Sequence, residues 1–338
     1  MHILTAHYGR HRGGSERALE RLIAAWRVLG HEVRCIVEPR AGAAALANAL
    51  QQEAAAFPPD ILFAGGQTYA PPFALLRRDR GMRRLPFAMK LSNAPLHPGR
   101  ALVTRASQAW LRLQARWTGR FVAPDDASAR LLRAIGIAEA QIAAIANPAA
   151  DESHLRRLHE QGSRRTDGEA LRLLTMGRLA SQKNIALMIE AFARIARPGD
   201  RLTVVGDGPL RAALEARTAR HAADIRFPGH IDDPAPQFAE ANGFALASDF
   251  EGLPAVLVEA LAAGLPIAAT ASAPGLADLL GPHATLVPVR DAAALARALN
   301  GLRHASPDRG AMLERALRFT AERSAPEYIA LFERMIVR

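Results

Sequence analysis

One cysteine, Cys35, stands among 338 residues. No disulfide can close within a single chain, which fits a reducing compartment and sets aside the small cross-linked secreted domain. Aromatic residues make up only 5%. Proteins that hold single-stranded nucleic acid need aromatic platforms among their basic residues, so nucleic acid is not an expected partner. Long apolar runs are also missing. The longest uncharged one, from Ala260 to Ala277, is broken by Gly264, Pro266, Pro274 and Gly275 and is not a membrane span. The opening MHILTAHYGRHRGG has too short an apolar run, with its basic residues on the wrong side, for a secretory leader. The 11 histidines show no metal-ligand clustering, so neither a metal nor another cofactor is expected. Lysine is scarce too: Lys90 and Lys183 are the only two among 43 basic residues. Where arginine is the default, a lysine marks a position that wants a compact point charge.

What is present is a soluble globular composition, 49% hydrophobic and 22% charged, of a length that suits two domains. The net charge of +10 is unevenly placed. Residues 1–168 carry 24 Lys+Arg against 14 Asp+Glu, and residues 169–338 carry 19 against 19. The first half is therefore expected to meet something anionic, unless an arginine-rich surface is simply this chain's habit.

The first half alternates short apolar strands with helical patterns. MHILTA, VRCIV, DILFAGG, PFAMKLSN, GRFVAP and IAAIANP read as six strands, with helices in SERALERLIAAWRVLG, from Ala43 to Ala56, in FALLRRDR and in DDASARLLRAIGI. The polar stretch 161–170 reads as a linker after a first domain over 1–160. The pattern then restarts, with strands in LRLLTMG, DRLTVVGDG, DIRFPG, GFALAS, LPIAAT and ATLVPV, and a second domain over 171–322. Strands alternating with helices predict an α/β fold of two doubly wound, Rossmann-like parallel sheets. Ligands of such sheets sit at the carboxyl ends of strands, and the natural place here is a cleft between the two domains.

Four stretches could carry chemistry. TMGRLASQKN puts Gly177 at a strand end, then Arg178, then Lys183 opening a helix. Close backbone approach, free helix N–H groups and two full charges suit a diphosphate; the plain alternative is a basic loop in solvent. VVGDGPL, with Gly206 and Asp207, resembles a phosphate loop, yet fits neither the P-loop nor the GxGxxG spacing and reads equally as a tight strand–helix turn. HRGGSER offers Gly14 for close approach and Ser15 as a helix cap, beside a helix start suited to phosphate; an ordinary capped turn reads as well. Finally, SDFEGLPAVLVEALAAGLPIAAT places Glu251 and Glu259 in an almost wholly apolar setting. Pro254 is expected as the first helical residue, putting Glu251 at the positive end of the helix. The two acids do not share a face at contact distance, so paired acid/base catalysis is not expected. Either they cap and brace a helix, or each grips a different hydroxyl of one elongated ligand.

GRLxxxKN, VGDGP, FPGHIDD and EGLPAVLVEALAAGLPI, in this order, with GGSER near the start and IANPAAD at 145–151, resemble the retaining glycosyltransferases of the large bacterial group 1 / family 4 type. The resemblance covers nearly the whole chain. It implies the GT-B fold, two Rossmann-like domains facing across a cleft, with a helix over 323–338 that crosses back to the first domain. It implies a nucleotide-sugar donor, UDP-linked in preference to GDP-linked, held mainly by the second domain. Carried over, Arg178 and Lys183 bind the diphosphate and Glu251 meets the sugar hydroxyls. The N–H groups of Gly252 and Leu253 face sugar or phosphate, Glu259 holds the ribose, and His230 with Ile231 contacts the base. No metal is expected, because cations and helix dipoles neutralise the leaving diphosphate.

One departure concerns the acceptor side. The family often carries a histidine just after the fourth strand, where this chain has Ser92 and Asn93, with His97 slightly beyond. Either His97 takes that role after a loop shift or Asn93 replaces it. Between Gly99 and Arg120, arginines accompany Trp110 and Trp117 on one helical face, which suits a membrane interface or, with the tryptophans turned inward, an ordinary packed helix. Together these readings imply transfer to a lipid-linked or cell-envelope oligosaccharide acceptor by a cytoplasmic, peripheral membrane enzyme. The rivals are a degenerate module of this fold that binds without transfer, and a Rossmann oxidoreductase, which lacks its GxGxxG fingerprint here.

Overall fold

The computed structural model describes residues 1–8, 14–38, 42–92, 101–163 and 170–337. They form two compact units, one of residues 1–151 and 319–338 and the other of residues 152–318.

The first unit runs β1 (His2–His7), α1 (Gly14–Val28), β2 (Glu32–Val37), α2 (Ala43–Ala56), β3 (Ile61–Ala64), α3 (Ala70–Leu76), α4 (Arg80–Arg84), β4 (Phe87–Lys90), α5 (Ala101–Gln114), β5 (Arg120–Ala123), α6 (Asp126–Ala134) and β6 (Ile142–Ala144). Its sheet has the order β2-β1-β3-β4-β5-β6, and every pairing is parallel. β3 and β4 are buried at every residue, as strands covered on both faces should be. On α1, Leu19, Leu22, Ile23 and Trp26 recur at helical spacing and are buried, and Gly30 at φ 85° closes the turn. Asp125 caps α6 by accepting from the Ser128 N–H at 2.6 Å.

The second unit runs α7 (Glu152–Ser163), β7 (Arg172–Met176), α8 (Ile185–Ala193), β8 (Arg201–Val205), α9 (Arg211–Thr218), β9 (Asp224–Gly229), α10 (Ala235–Glu240), β10 (Gly243–Leu246), α11 (Ala255–Ala262), β11 (Ile267–Thr270), α12 (Leu276–Leu280), β12 (Ala284–Val287), α13 (Ala292–Gly301) and α14 (Arg309–Leu317). Its parallel sheet has the order β12-β11-β10-β7-β8-β9. In order of appearance this is 3-2-1-4-5-6 read from the β9 edge, so the direction of winding reverses between β7 and β10. The amino-terminal edge is tied by Arg303, whose guanidinium meets Asp200; both side chains are almost fully buried, and Asp200 also accepts from the Leu171 and Arg197 N–H groups. Burial raises the Asp200 carboxyl, but these donors outweigh it and hold it below its ordinary range.

All twelve strands lie where apolar runs placed them. The boundaries lie elsewhere than sequence placed them. The polar segment 161–170 predicted the division, whereas α7 already belongs to the second unit, because it packs on α10, α11 and α14. Its Leu155 and Leu158 are fully buried. At the other end the chain rejoins the first unit at Phe319, four residues ahead of the 323–338 helix expected from the resemblance. The Ala149 N–H donates to the Phe319 carbonyl, and Ala150 bridges Thr320. The final helix, α15 (Ala321–Ile336), packs on α1. Its Tyr328 and Phe332 meet Trp26 and Phe63 edge-on or tilted, with centroids 5.5–5.8 Å apart.

Candidate functional site

The second unit gathers its polar groups where the winding reverses. β7 is followed by Gly177, whose φ of 152° turns the chain away from the sheet, and a single 3₁₀ turn, Ser181–Lys183, leads into α8. Asn184 takes the left-handed conformation at φ 45°, and its side chain caps α8 by accepting from the Leu187 N–H at 3.3 Å. From β10 the chain enters Ser248–Leu253. Three contacts bind the two loops together. The Asp249 N–H donates to the Gln182 carbonyl at 2.8 Å, Gln182 Nε2 to the Phe250 carbonyl at 2.8 Å, and Asn184 Nδ2 to Asp249 Oδ1 at 2.9 Å. Arg290, itself at φ 63°, closes the clamp with two bonds to Asp249 Oδ2.

Inside this clamp Lys183 Nζ donates to Glu251 Oε1 at 2.5 Å. Ser248 Oγ donates to the same oxygen at 2.6 Å, and the Glu251 N–H is spent on the Ser272 carbonyl. The Glu251 side chain is 8% exposed and that of Lys183 19%. Glu251 therefore faces Lys183 rather than the start of α11, where the sequence put it. Pro254 is the residue before α11, not its first. With Oε1 occupied, Oε2 has no protein donor among the described residues. The Arg178 side chain is exposed and has no hydrogen bond or ion pair among them either. Gly252 and Leu253 are half-buried between Glu251 and α11.

The glycines of VVGDGPL have a packing reason. A Cβ on Gly206 would lie 2.0 Å from the Gly177 carbonyl oxygen, and one on Gly208 would lie 2.6 Å from that of Leu179. The β8 turn thus lies flush against the β7 turn, with the Gly177 N–H donating to Val205 and the Leu179 N–H to Asp207. Asp207 is exposed and accepts from the Gly208 N–H at 2.7 Å.

Glu259 is one turn further along α11 than the clamp and meets His154 of α7, Nε2 to Oε1 3.2 Å. Arg157 Nη2 lies 3.3 Å from His154 Nδ1 and also donates to Asp233. A guanidinium only donates, so Nδ1 is the acceptor and Nε2 carries the proton given to Glu259. His230 is exposed beside Asp232, at 3.5 Å, and Ile231 is half-buried next to it. Sequence reasoning missed Ser248, His154 and the Asn184–Asp249–Arg290 clamp. Ser248 and Asp249 stood in the stretch it singled out, but no spacing rule links Asp249 to Asn184 and Arg290, 65 and 41 positions away.

In the first unit, Gly14 is the first residue of α1, and a Cβ there would meet nothing within 4 Å. Ser15 lies inside that helix rather than capping it, and its Oγ donates to Glu16 Oε2 at 2.9 Å. Tyr69 donates to the other oxygen of Glu16. Burial raises the Glu16 carboxyl, but these bonds and nearby His7 hold it below its ordinary range. Lys90, the last residue of β4, is fully buried and donates to Asn147 Oδ1 at 2.7 Å. Burial pushes its ammonium down to about 8, with Glu16 pulling the other way. Asn93 and His97, the acceptor-side candidates, lie outside the described residues. Among those residues no group of three His, Cys, Asp or Glu side chains gathers as metal ligands, and no helix is long and apolar enough to cross a membrane.

Comparison with known proteins agrees with the fold of the two units. Residues 170–304 match the family model described as glycosyl transferases group 1, and residues 37–148 match the glycosyl transferase 4-like domain. The lipopolysaccharide core biosynthesis glycosyltransferase LpsE of Rhizobium meliloti is 33% identical over 154 residues, 43% of this chain and 45% of that one. A Campylobacter jejuni N-acetylgalactosamine-N,N'-diacetylbacillosaminyl-diphospho-undecaprenol 4-alpha-N-acetylgalactosaminyltransferase is 33% identical over 111 residues, 32% of this chain and 30% of its own length. The chain thus spans less than half the length of these relatives. The crystal structure of Anabaena HepE with UDP and glucose superposes at a TM-score of 0.76 and 19% identity, covering 98% of this chain and 99% of that one. The chain belongs to the GT-B glycosyltransferases that combine a 4-like domain with a group 1 domain.

Proposed function

We propose that this chain moves a sugar, with retention of anomeric configuration, from a nucleotide-sugar donor to a lipid-linked or cell-envelope glycan acceptor, without a metal ion. The Lys183–Glu251 pair carries the reading: it sits at the winding reversal of the second sheet, where ligands of such sheets bind. Arg178 and Lys183 neutralise the diphosphate as it leaves. Glu251 Oε2 accepts from a sugar hydroxyl while Lys183 and Ser248 fix Oε1. Glu259, held by His154, takes the ribose, and His230 with Ile231 borders the base. A UDP-sugar is favoured over a GDP-sugar, since the HepE structure holds UDP and glucose. The names of the two relatives, one of lipopolysaccharide core synthesis and one containing diphospho-undecaprenol, support a lipid-linked acceptor. The first unit carries 23 Lys+Arg against 14 Asp+Glu, which supports a peripheral place on the cytoplasmic membrane face. Retention rests on the family resemblance.

The test is calorimetry with UDP and UDP-sugars beside transfer assays. UDP at a hundredfold its Kd should add about 2.7 kcal/mol to thermal stability. Arg178→Ala should lose roughly ten- to hundredfold in UDP affinity. Glu251→Gln should lower turnover more than UDP affinity, while Glu259→Gln should weaken UDP itself. Wild-type behaviour in both glutamine variants overturns the site, and nucleotide binding without transfer to any acceptor makes the chain a binding module.

A further inference from the structure

Helix α5 (Ala101–Gln114) is turned inside out. Its buried residues are Leu111 and Gln114, with Thr104 and Ser107 half-buried on the same side. Its large apolar residues point to solvent: Leu102 is 80% exposed, Val103 42%, Trp110 41% and Leu113 40%. Leu102, Ala106, Ala109, Trp110 and Leu113 follow helical spacing and make one continuous outer stripe. Arg105, Arg112 and Arg116 recur at seven and four residues along its flank, all exposed. Arg112 is tied to the Ile135 carbonyl at 2.7 Å; Arg105 and Arg116 reach outward. Trp117 turns toward the core and touches Trp110 edge-on, centroids 6.3 Å apart, so the inner tryptophan braces the outer one.

We propose that this face of α5 is the surface by which the protein docks on an anionic lipid bilayer, lying in the interface with Trp110 and Leu102 among the headgroups. The charge pattern selects the occupant. Between Asp79 and Asp125 the sequence has nine Lys+Arg and no acidic residue, so nothing on this segment repels a negatively charged surface. An apolar stripe edged by arginine is what an interfacial helix presents, with basic residues reaching phosphate oxygens while the apolar side chains leave water. A second copy of the chain would set arginine against arginine across the contact, a like-charge juxtaposition that disfavours pairing. The assignment rests on the membrane reading above, yet names one helix and fails separately from it.

The experiment uses the full chain and sedimentation with vesicles of phosphatidylcholine alone or with added phosphatidylglycerol. Wild type should bind the anionic vesicles and be released by salt. Arg105→Glu with Arg116→Glu should weaken binding at least tenfold, since each basic residue near such a surface contributes about fivefold. Leu102→Ser with Trp110→Ser should weaken it similarly. Trp110→Phe should abolish the blue shift in tryptophan emission on binding, because Trp26 is fully buried and Trp117 faces the core. All variants should unfold at the wild-type temperature and keep wild-type UDP affinity. Wild-type vesicle binding by both double variants overturns the role of α5 and leaves the membrane reading standing. A wild-type chain that ignores anionic vesicles ends both. Self-association that Leu102→Ser abolishes overturns the lipid assignment in favour of a second copy of the chain.

Discussion

Each unit contains one lysine, and each lysine stands at the carboxyl end of a parallel sheet. Lys90 ends β4 and is fully buried against one amide oxygen. Lys183, just beyond β7, lies against a carboxylate that a serine also holds. The two sites resolve the same difficulty differently. A buried ammonium whose direct partner is an amide oxygen loses proton affinity, whereas an ammonium beside a carboxylate has its counter-charge in contact. Position at a strand end therefore does not by itself make a lysine a ligand for phosphate. The neighbour decides.

The largest effect should come from separating the Lys183 pair. Lys183→Met strands Glu251 with Ser248 alone, and breaking a buried pair costs about 3 kcal/mol or more; partial exposure of Lys183 favours the lower figure. Trp26, Trp110 and Trp117 all belong to the first unit, so urea unfolding of the second unit should appear in far-ultraviolet circular dichroism and leave tryptophan emission unmoved. Adding Glu251→Leu should restore most of the loss. A single-variant loss below about 1 kcal/mol would mean that the pair is not structurally coupled.

Lys90→Met should do much less at neutral pH. It removes a buried charge but leaves Asn147 without a donor, opposing effects that should leave a net change within about 1 kcal/mol. The pH dependence is more telling. The native chain releases the Lys90 proton near about 8, whereas the unfolded chain holds it to about its ordinary 10.5. Between those values the unfolded state binds more protons, so unfolding free energy rises with pH. Below about 8 the full cost of the buried ammonium is present. Wild type should therefore gain on Lys90→Met as pH rises through this window, read by tryptophan emission in urea. A difference that stays flat refutes the buried-ammonium account.

His154→Ala should have the smallest effect. It frees Glu259 from its partner while removing a pair that is only partly shielded, 20% and 14% exposed. Such pairs contribute roughly 0.2–1 kcal/mol, so UDP affinity should fall about two- to fivefold with little loss of stability. An unchanged affinity would detach α7 from the nucleotide site.

The strands were legible because a parallel strand buried on both faces is simply a short apolar run between turn residues, as ILFA and FAMK are. The place of α7 was not legible. Its sequence, ESHLRRLHEQGS, is polar apart from two leucines, so no broad apolar face shows which unit it packs on, and a boundary at 160 leaves most of it in the first. Lys183 and Glu251 each read as donor-site candidates, but their contact, 68 residues apart in sequence, has no local signature. Gly206 shows the converse. Its glycine reads equally as a phosphate loop or a tight strand–helix turn, and the Gly177 carbonyl fills the space a Cβ would take. Trp110 and Trp117 share a helical face in the sequence, yet Trp110, on α5, turns outward and Trp117, beyond the helix end, turns in.

The first unit's core is written in two segments that flank the second unit, and this sets a timetable for synthesis. Trp26 and Phe63 are made before Asp151, but Tyr328 and Phe332 emerge about 180 residues after it. At a ribosomal pace of 5–20 residues per second, that is a delay of roughly 10–40 s. Through that interval the first sheet waits with one side of α1 unclad, while the second unit, contiguous from residue 152 to 318, can already close. The later-encoded unit is thus positioned to mature first, and the nascent first unit is where a chaperone would find exposed Trp26.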